Sequence, residues 1–480
     1  MTMPFSVATL LDGMAKVSPD VSASGLCADS RLVGEGDVFF ALPGTRAHGN
    51  AFAKDAVARG AVAVVTDIKP ELDLDAPVIL VDDVRMAYAR AAAKACGPQP
   101  THCVAVTGTN GKTSVVTFLR QIWDYAGLKG ASLGTLGLMV GDEHIPGELT
   151  TPDALSLHKT LAQLKSDGVD YVAMEASSHG IDQRRLDGVK FEAVAFTNLS
   201  RDHLDYHADM DAYRDAKLRL FRELIDDSAT AVIDAENEEG MAFMFAALDR
   251  GATVFTVGAG GAHIDVESVE VEGFGQRVKG KLVGEPLDFH LPLVGRFQVD
   301  NAVVAAGLAM ATGVENAVAI AALEHLKGAK GRLELAGKKG DGAVFVDYSH
   351  KPEALRVALE TLRPSTKGKL IVVFGCGGDR DAGKRPQMGA IASELADVAI
   401  VTDDNPRTED AASIRAQVMA AAKGATEIGD RAEAIHHAIA IMEPDDTVLV
   451  AGKGHEDYQI IGKTKHHFSD HEVVREALGN

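Results

Sequence analysis

Residues 104–113 read VAVTGTNGKT, and this stretch decides the fold. Val104, Ala105 and Val106 form an apolar strand-like run, and a helix-like segment follows over 114–123. Between them lies a glycine loop closed by Gly111, Lys112 and Thr113. Strand, glycine loop and helix start make a phosphate cradle, because glycines admit oxygens close to the backbone and successive N–H groups favour anions. Lys112 is placed to bridge terminal phosphates, and the Thr113 hydroxyl to hold Mg²⁺. The spacing departs from G-x-x-x-x-G-K-[ST]: position 106 is Val and the nearest upstream glycine is Gly108. The loop is therefore tighter than that of common nucleotide hydrolases.

Outward from the loop, 480 residues predict two to four domains. A formal net charge of −21, with no Lys/Arg-rich stretch, argues against a nucleic-acid partner. No apolar run is long enough to span a membrane. The first twenty residues lack a basic start and a long apolar stretch, so the expectation is a cytoplasmic protein. Cys27, Cys96, Cys103 and Cys376 lie far apart with no C-x-x-C pair, which disfavours zinc and disulfide scaffolds.

Before Cys96–Pro100, short apolar runs at 37–42, 61–65 and 78–81 alternate with Ala-rich helical stretches at 51–59 and 86–95, predicting a small α/β domain. Buried-strand candidates at 171–175, 193–197 and 229–234, separated by helical patterns, predict parallel βαβ units around the loop. Alternation over 263–293 predicts antiparallel hairpins, and a helix is expected over 300–311. After Gly328–Gly331, strand-like runs at 343–348, 369–374, 398–402 and 447–451 predict a second doubly wound α/β unit. There is no internal repeat.

Glu175 ends a predicted strand, where a carboxylate suits Mg²⁺ or is simply a solvated loop acid. His203 follows another strand among Asp202, Asp205 and His207, which makes a metal site as plausible as a structural role. Lys217 reads as an ordinary solvated helical lysine. Three polar loops follow the C-terminal strands, at 375–380, 403–407 and 452–456. In an open α/β sheet they converge on one crevice, where an arginine paired with an acid suits a zwitterion. A kinase, an ATPase switch and an ATP-driven ligase all use a Mg-nucleotide; a ligase best explains the separate zwitterion crevice.

Together the motifs resemble the Mur ligase family. The resemblance rests on TGTNGKT (107–113), EASSHG (175–180), TNLSRDHLDYH (197–207), YRDAK ending at Lys217, GRLE (331–334), DYSHKP (347–352), FGCGGDRDAGKRP (374–386), DNPR (404–407) and GKGHEDYQ (452–459). TGTNGKT is shared with folylpolyglutamate synthetases, whereas DNPR with GKGHEDYQ is narrower. The resemblance implies three α/β domains: a small UDP-sugar-binding domain (1–98), a central P-loop-type parallel-sheet ATPase domain (99–330), and a doubly wound, Rossmann-like amino-acid-binding domain (331–480). They would have to close together during the reaction. It implies a monomer in peptidoglycan precursor synthesis, using ATP and Mg²⁺ on small-molecule substrates. The carboxylate of UDP-N-acetylmuramoyl-L-alanyl-D-glutamate attacks the γ-phosphate of ATP, and an amine displaces phosphate from the acyl phosphate.

The resemblance also assigns residues. Gly108, Thr109, Asn110, Gly111, Lys112 and Thr113 cradle the phosphates, while Asn301, Arg332, Asp347 and His350 belong to the adenosine side. Family members often carry Asn where this chain has Gln298. Thr113, Glu175, His203 and a carbamylated Lys217 would serve two Mg²⁺ ions, and Lys112, Glu175, His203 and Lys217 are the catalytic set. Ser30, within Asp29-Ser30-Arg31, matches a uridine contact. Thr150, Thr151, Ser177, Gln183 and Arg185 match residues that hold the acceptor. Arg380, Asp404, Asn405, Pro406, Arg407, Gly452 and Glu456 match the amino-acid site. Relatives that add L-lysine lack the arginine of DNPR. Arg407 therefore points to meso-diaminopimelate, which is lysine with a further carboxylate.

Overall fold

Strands buried on both faces need no polar alternation, and the phosphate-loop strand His102–Thr107 (HCVAVT) is buried from its second residue on. The computed structural model describes residues 4–18, 20–44, 47–71 and 73–479. They form two units, Met1–Val257 with Gly307–Glu315, and Gly258–Ala306 with Asn316–Asn480.

The first unit contains a four-stranded parallel sheet in chain order, Gly25–Cys27, Asp37–Phe40, Ala63–Thr66 and Val78–Leu80. Helix Val84–Cys96 follows, started by Asp83, whose carboxylate accepts from Met86 N. The second sheet of this unit places His102–Thr107 between Tyr171–Glu175 and Ala193–Phe196. Gly130–Gly134 lies outside Tyr171–Glu175, and Thr230–Asp234 and Thr253–Gly258 lie beyond Ala193–Phe196, all parallel. Gly137–Val140 and Glu143–Ile145 add an antiparallel edge. The loops after the two central strands thus leave the sheet beside each other, where ligands bind in open parallel sheets.

Helix Lys112–Tyr125 begins two residues earlier than its sequence pattern suggests, so Lys112 and Thr113 lie in its first turn. Gly111 precedes it at φ 87° and supplies no side-chain cap. The first N–H groups therefore lack the carboxylate or hydroxyl that starts most other helices here. The far end is anchored by the fully buried Trp123, whose indole N–H donates to Thr312 Oγ1 at 3.0 Å.

In the second unit, Ile264–Glu272, Gly275–Leu282 and Glu285–Leu291 form the expected antiparallel meander. A six-stranded sheet follows in the order Glu334–Lys339, Gly342–Asp347, Thr447–Ala451, Leu370–Phe374, Val398–Val401, Thr426–Glu427. Its first pair is antiparallel and the others are parallel. Leu370, Val372 and Phe374 enter one core while Ile371 and Val373 enter another, so both faces are covered. Among the described residues no helix is long and apolar enough to cross a membrane.

Candidate active site

The glycine loop is braced by the segment after Ala193–Phe196. Thr109 N donates to Asn198 O at 2.8 Å, Asn110 N to Asn198 Oδ1 at 3.0 Å, and Thr197 Oγ1 to Asn110 O at 2.7 Å. Gly108 sits at φ 152°, and a Cβ there would collide with the Thr197 hydroxyl. The TNLS segment thus shapes the loop. Lys112 Nζ donates to Gly108 O at 2.8 Å and Thr109 O at 2.9 Å. Lys217 Nζ donates to the same Gly108 O at 2.8 Å. Two lysine amino groups thus converge on one carbonyl of this loop.

Lys217 is not a solvated lysine. It is 1% exposed, with its ammonium 4.4 Å from the Tyr213 ring centroid. Burial and then the Lys112 charge push its pKa well below the usual lysine range, opposed by Asp202. Helix Met210–Glu223 delivers it, started by Asp209, which accepts from Ala212 N. Sequence periodicity gave no such signal, since only tertiary packing buries this helical face.

Glu175 is 2% exposed and accepts from Thr135 N at 2.8 Å and Thr135 Oγ1 at 3.2 Å. A Cβ on Gly134 would collide with this carboxylate. No ion pair involves Glu175 among the described residues; its buried carboxyl group is held by the neutral Thr135 donors. That arrangement fits Mg²⁺, which takes one or two carboxylates with waters and phosphate oxygens rather than an all-protein cage. The buried Thr113 hydroxyl is compatible with it.

Around His203 the sequence leaves a metal site and a structural role equally open. Among the described residues no three His, Cys, Asp or Glu side chains gather as a metal site. His207 is buried while Asp205 is exposed, so adjacent turns send them to different environments. His203, at φ 54°, stands 3.9 Å from Asp202 and instead packs edge-on to His179, with ring centroids 5.1 Å apart. His179 was not singled out by sequence, although it lies in EASSHG.

The residues assigned to the acceptor form one network. Thr151 Oγ1 donates to Glu175 O at 2.8 Å, contacts Ser177 Oγ at 3.0 Å and accepts from Ser177 N at 3.0 Å. Thr150 Oγ1 lies 3.1 Å from Thr135 Oγ1. Arg185 donates to Thr151 O and to Gln183 Oε1, both at 2.7 Å. Gln183 in turn donates to Tyr206 Oη at 3.3 Å. The network runs into the backbone of the Glu175 strand. Ser30 lies outside it, in a turn where Asp29 binds the Arg31 guanidinium at 2.6 Å.

In the second unit, Asn301 Nδ2 donates to Gln298 Oε1 at 3.1 Å, and both are buried. Gln298, the departure noted above, thus positions Asn301. Asp347 accepts from Leu333 N and Ser349 N, each at 2.8 Å, which joins GRLE to DYSHKP. Arg332 lies over the Tyr348 ring at 4.8 Å, and His350 Nδ1 is 2.9 Å from Tyr348 O.

The three loops leave Leu370–Phe374, Val398–Val401 and Thr447–Ala451, which are neighbours in the sheet, as anticipated. Arg407 Nη1 donates to Gly378 O at 2.9 Å, tying DNPR to the Gly375–Arg380 loop. Asn405 Nδ2 donates to Glu456 Oε2 at 3.1 Å, tying it to GKGHE. Burial raises the Glu456 pKa, opposed first by Lys453. Asp404, Asn405, Pro406 and Gly452 are buried within the crevice, and Arg380 is exposed.

Comparison with known proteins matches three family models along the chain. The description Mur ligase family, catalytic domain, matches residues 22–95; Mur ligase middle domain matches 106–309; Mur ligase, glutamate ligase domain, matches 331–454. A protein of Chelativorans sp. (strain BNC1) named UDP-N-acetylmuramoyl-L-alanyl-D-glutamate--2,6-diaminopimelate ligase is 53% identical over 472 residues, 98% of each chain. One of the same name from Brucella melitensis biotype 1 is 54% identical over 461 residues, 96% of this chain and 94% of that one. A solved structure of a ligase of that name is similar with a TM-score of 0.76 and 32% identity, over 99% of both chains.

Proposed function

The chain belongs to the Mur ligase family, and from that premise we propose that it joins meso-diaminopimelate to UDP-N-acetylmuramoyl-L-alanyl-D-glutamate in peptidoglycan precursor synthesis, converting ATP to ADP and phosphate. The observation that carries this reading is 53–54% identity along nearly the full length of ligases so named. In this reading the chain divides into a UDP-sugar domain (1–98), an ATP domain (99–330) and an amino-acid domain (331–480). It acts in the cytoplasm as a monomer, on soluble small molecules.

The reaction brings a carboxylate to the γ-phosphate, two anions that repel each other. Lys112 moves from its loop carbonyls onto the phosphate oxygens, and the N–H groups of residues 109–113 receive the others. Thr113, Glu175 and His203 would hold Mg²⁺, which would supply charge neutralisation. Lys217 completes that set as a carbamate: its uncharged amine takes up CO₂ and releases a proton, turning a buried neutral amine into an anion. Its low pKa beside Lys112 supports this reading, because the neutral amine is the nucleophile. Thr150, Thr151, Ser177, Gln183 and Arg185 orient the acceptor, with Ser30 at the uridine. Asn301, Arg332, Asp347 and His350 serve the adenosine.

In the amino-acid crevice Arg407 takes the distal carboxylate of diaminopimelate, and Asp404 and Glu456 take an ammonium group. Arg380, Asn405, Pro406 and Gly452 shape the remaining wall. L-Lysine leaves the Arg407 guanidinium without its anion and is disfavoured. Mass spectrometry of the reaction with ATP, Mg²⁺, acceptor and meso-diaminopimelate tests this. Growth of the acceptor by one diaminopimelate residue supports the proposal, and recovery of unchanged acceptor contradicts it.

A further inference from the structure

Lys453, in GKGHE, has no part in the reaction as described, yet it is 0% exposed. Its ammonium donates to Tyr458 O at 2.6 Å and Asn405 Oδ1 at 3.1 Å. It also faces Asp404 Oδ1 at 3.5 Å and Glu456 Oε2 at 3.7 Å. The Asp404 oxygen is buried and otherwise without a hydrogen-bond partner. A lysine removed from water is tolerated only with such compensation, and the two carboxylates in turn depend on it.

The surrounding contacts show what this centre holds. Ile460 N donates to Asn405 Oδ1 at 2.9 Å, and Gln459 Nε2 donates to Asp404 O at 2.7 Å. One step further, Arg407 N donates to Ile460 O at 3.0 Å, and Gly462 N to Arg407 O at 2.7 Å. This isolated bridge fixes Arg407 in the left-handed region at φ 51°, a conformation a non-glycine residue keeps only when its neighbours impose it. Residues 404–407 are thus laid along residues 458–462, and Lys453 bonds to both.

We propose that Lys453 is a positioning residue for amine selection: its buried ammonium sets the register of residues 404–407 against 458–462, and so fixes where Arg407 presents its guanidinium. The inference rests on the reading that this crevice receives diaminopimelate.

The test is steady-state kinetics of the full chain and its Lys453→Met variant, with KM measured separately for diaminopimelate, ATP and acceptor, and turnover compared with L-lysine. The expected result is a KM for diaminopimelate raised roughly tenfold or more. KM for ATP and acceptor should stay within about twofold, and preference for diaminopimelate over lysine should fall. An unchanged KM for diaminopimelate overturns the proposal, as does equal loss in all three KM values, which marks a merely structural lysine. If circular dichroism shows the variant unfolded, Gln459→Met removes a neighbouring tie outside the buried centre. It should raise the same KM by about threefold, and no rise overturns the proposal. Wild-type enzyme inactive on diaminopimelate refutes the functional reading itself and removes the basis of this one, so the two failures are distinguished.

Discussion

Lys217 and Lys453 are both shut away from solvent, in opposite electrostatic settings. Lys217 shares the Gly108 carbonyl with a second lysine. Lys453 is enclosed by Asn405, Asp404 and Glu456. Burial lowers the pKa of both, but Lys112 deepens the shift at Lys217 whereas Asp404 resists it at Lys453. A buried lysine beside a like charge is poised to be an uncharged amine and a nucleophile. A buried lysine among carboxylates is a fixed cation that joins segments. On the proposed reading, the same residue type supplies chemistry in one unit and geometry in the other.

The largest test of this contrast is Lys217→Ala. It should lower kcat by about a thousandfold while leaving KM for the amino acid unchanged. Wild-type enzyme held in CO₂-free buffer should lose turnover and regain it with bicarbonate; full activity without CO₂ would remove the carbamate from the account. On the other side, Arg407→Ala should reduce kcat/KM with diaminopimelate by about a hundredfold, with KM for ATP unchanged. Retained efficiency would detach Arg407 from amine choice.

Stability against pH separates the two lysines more finely. In the unfolded chain each lysine keeps its proton up to the ordinary lysine pKa, whereas the native form loses it earlier. The unfolded state therefore binds more protons between the lowered native pKa and the ordinary value, and native stability rises with pH through that window. Melting between about pH 7 and 10 in CO₂-free buffer should show Lys217→Met flattening this rise more than Lys453→Met. Equal flattening would mean that the neighbouring charges matter less than burial. The smallest effect belongs to the caps. Asp209→Ala, at the start of the helix that carries Lys217, should cost about 1 kcal/mol of stability. Denaturant unfolding would read this, and a large loss of turnover at full folding would show that the cap also positions the lysine.

Much of this contrast was absent from the sequence. Strand runs such as 171–175 and 447–451 were legible because buried parallel strands are continuous apolar stretches. The three C-terminal loops were legible because each follows such a run. Lys217 looked like any helical surface lysine, and only the family resemblance singled it out, because its burial comes from the packing of Met210–Glu223 against the glycine loop. Lys453 gave no sequence signal beside the more conspicuous Glu456, since its partner Asn405 is brought to it by sheet topology. Around His203 closeness in sequence leaves a metal site and a structural role equally open, and the turns send Asp205 to solvent and His207 to the interior.

The most direct measurement is phosphate release from ATP with UDP-N-acetylmuramoyl-L-alanyl-D-glutamate, supplied with meso-diaminopimelate, with L-lysine or with no amine. Turnover is expected with diaminopimelate alone. Equal turnover with lysine would contradict the role of Arg407, and release that needs no amine would contradict the ligase.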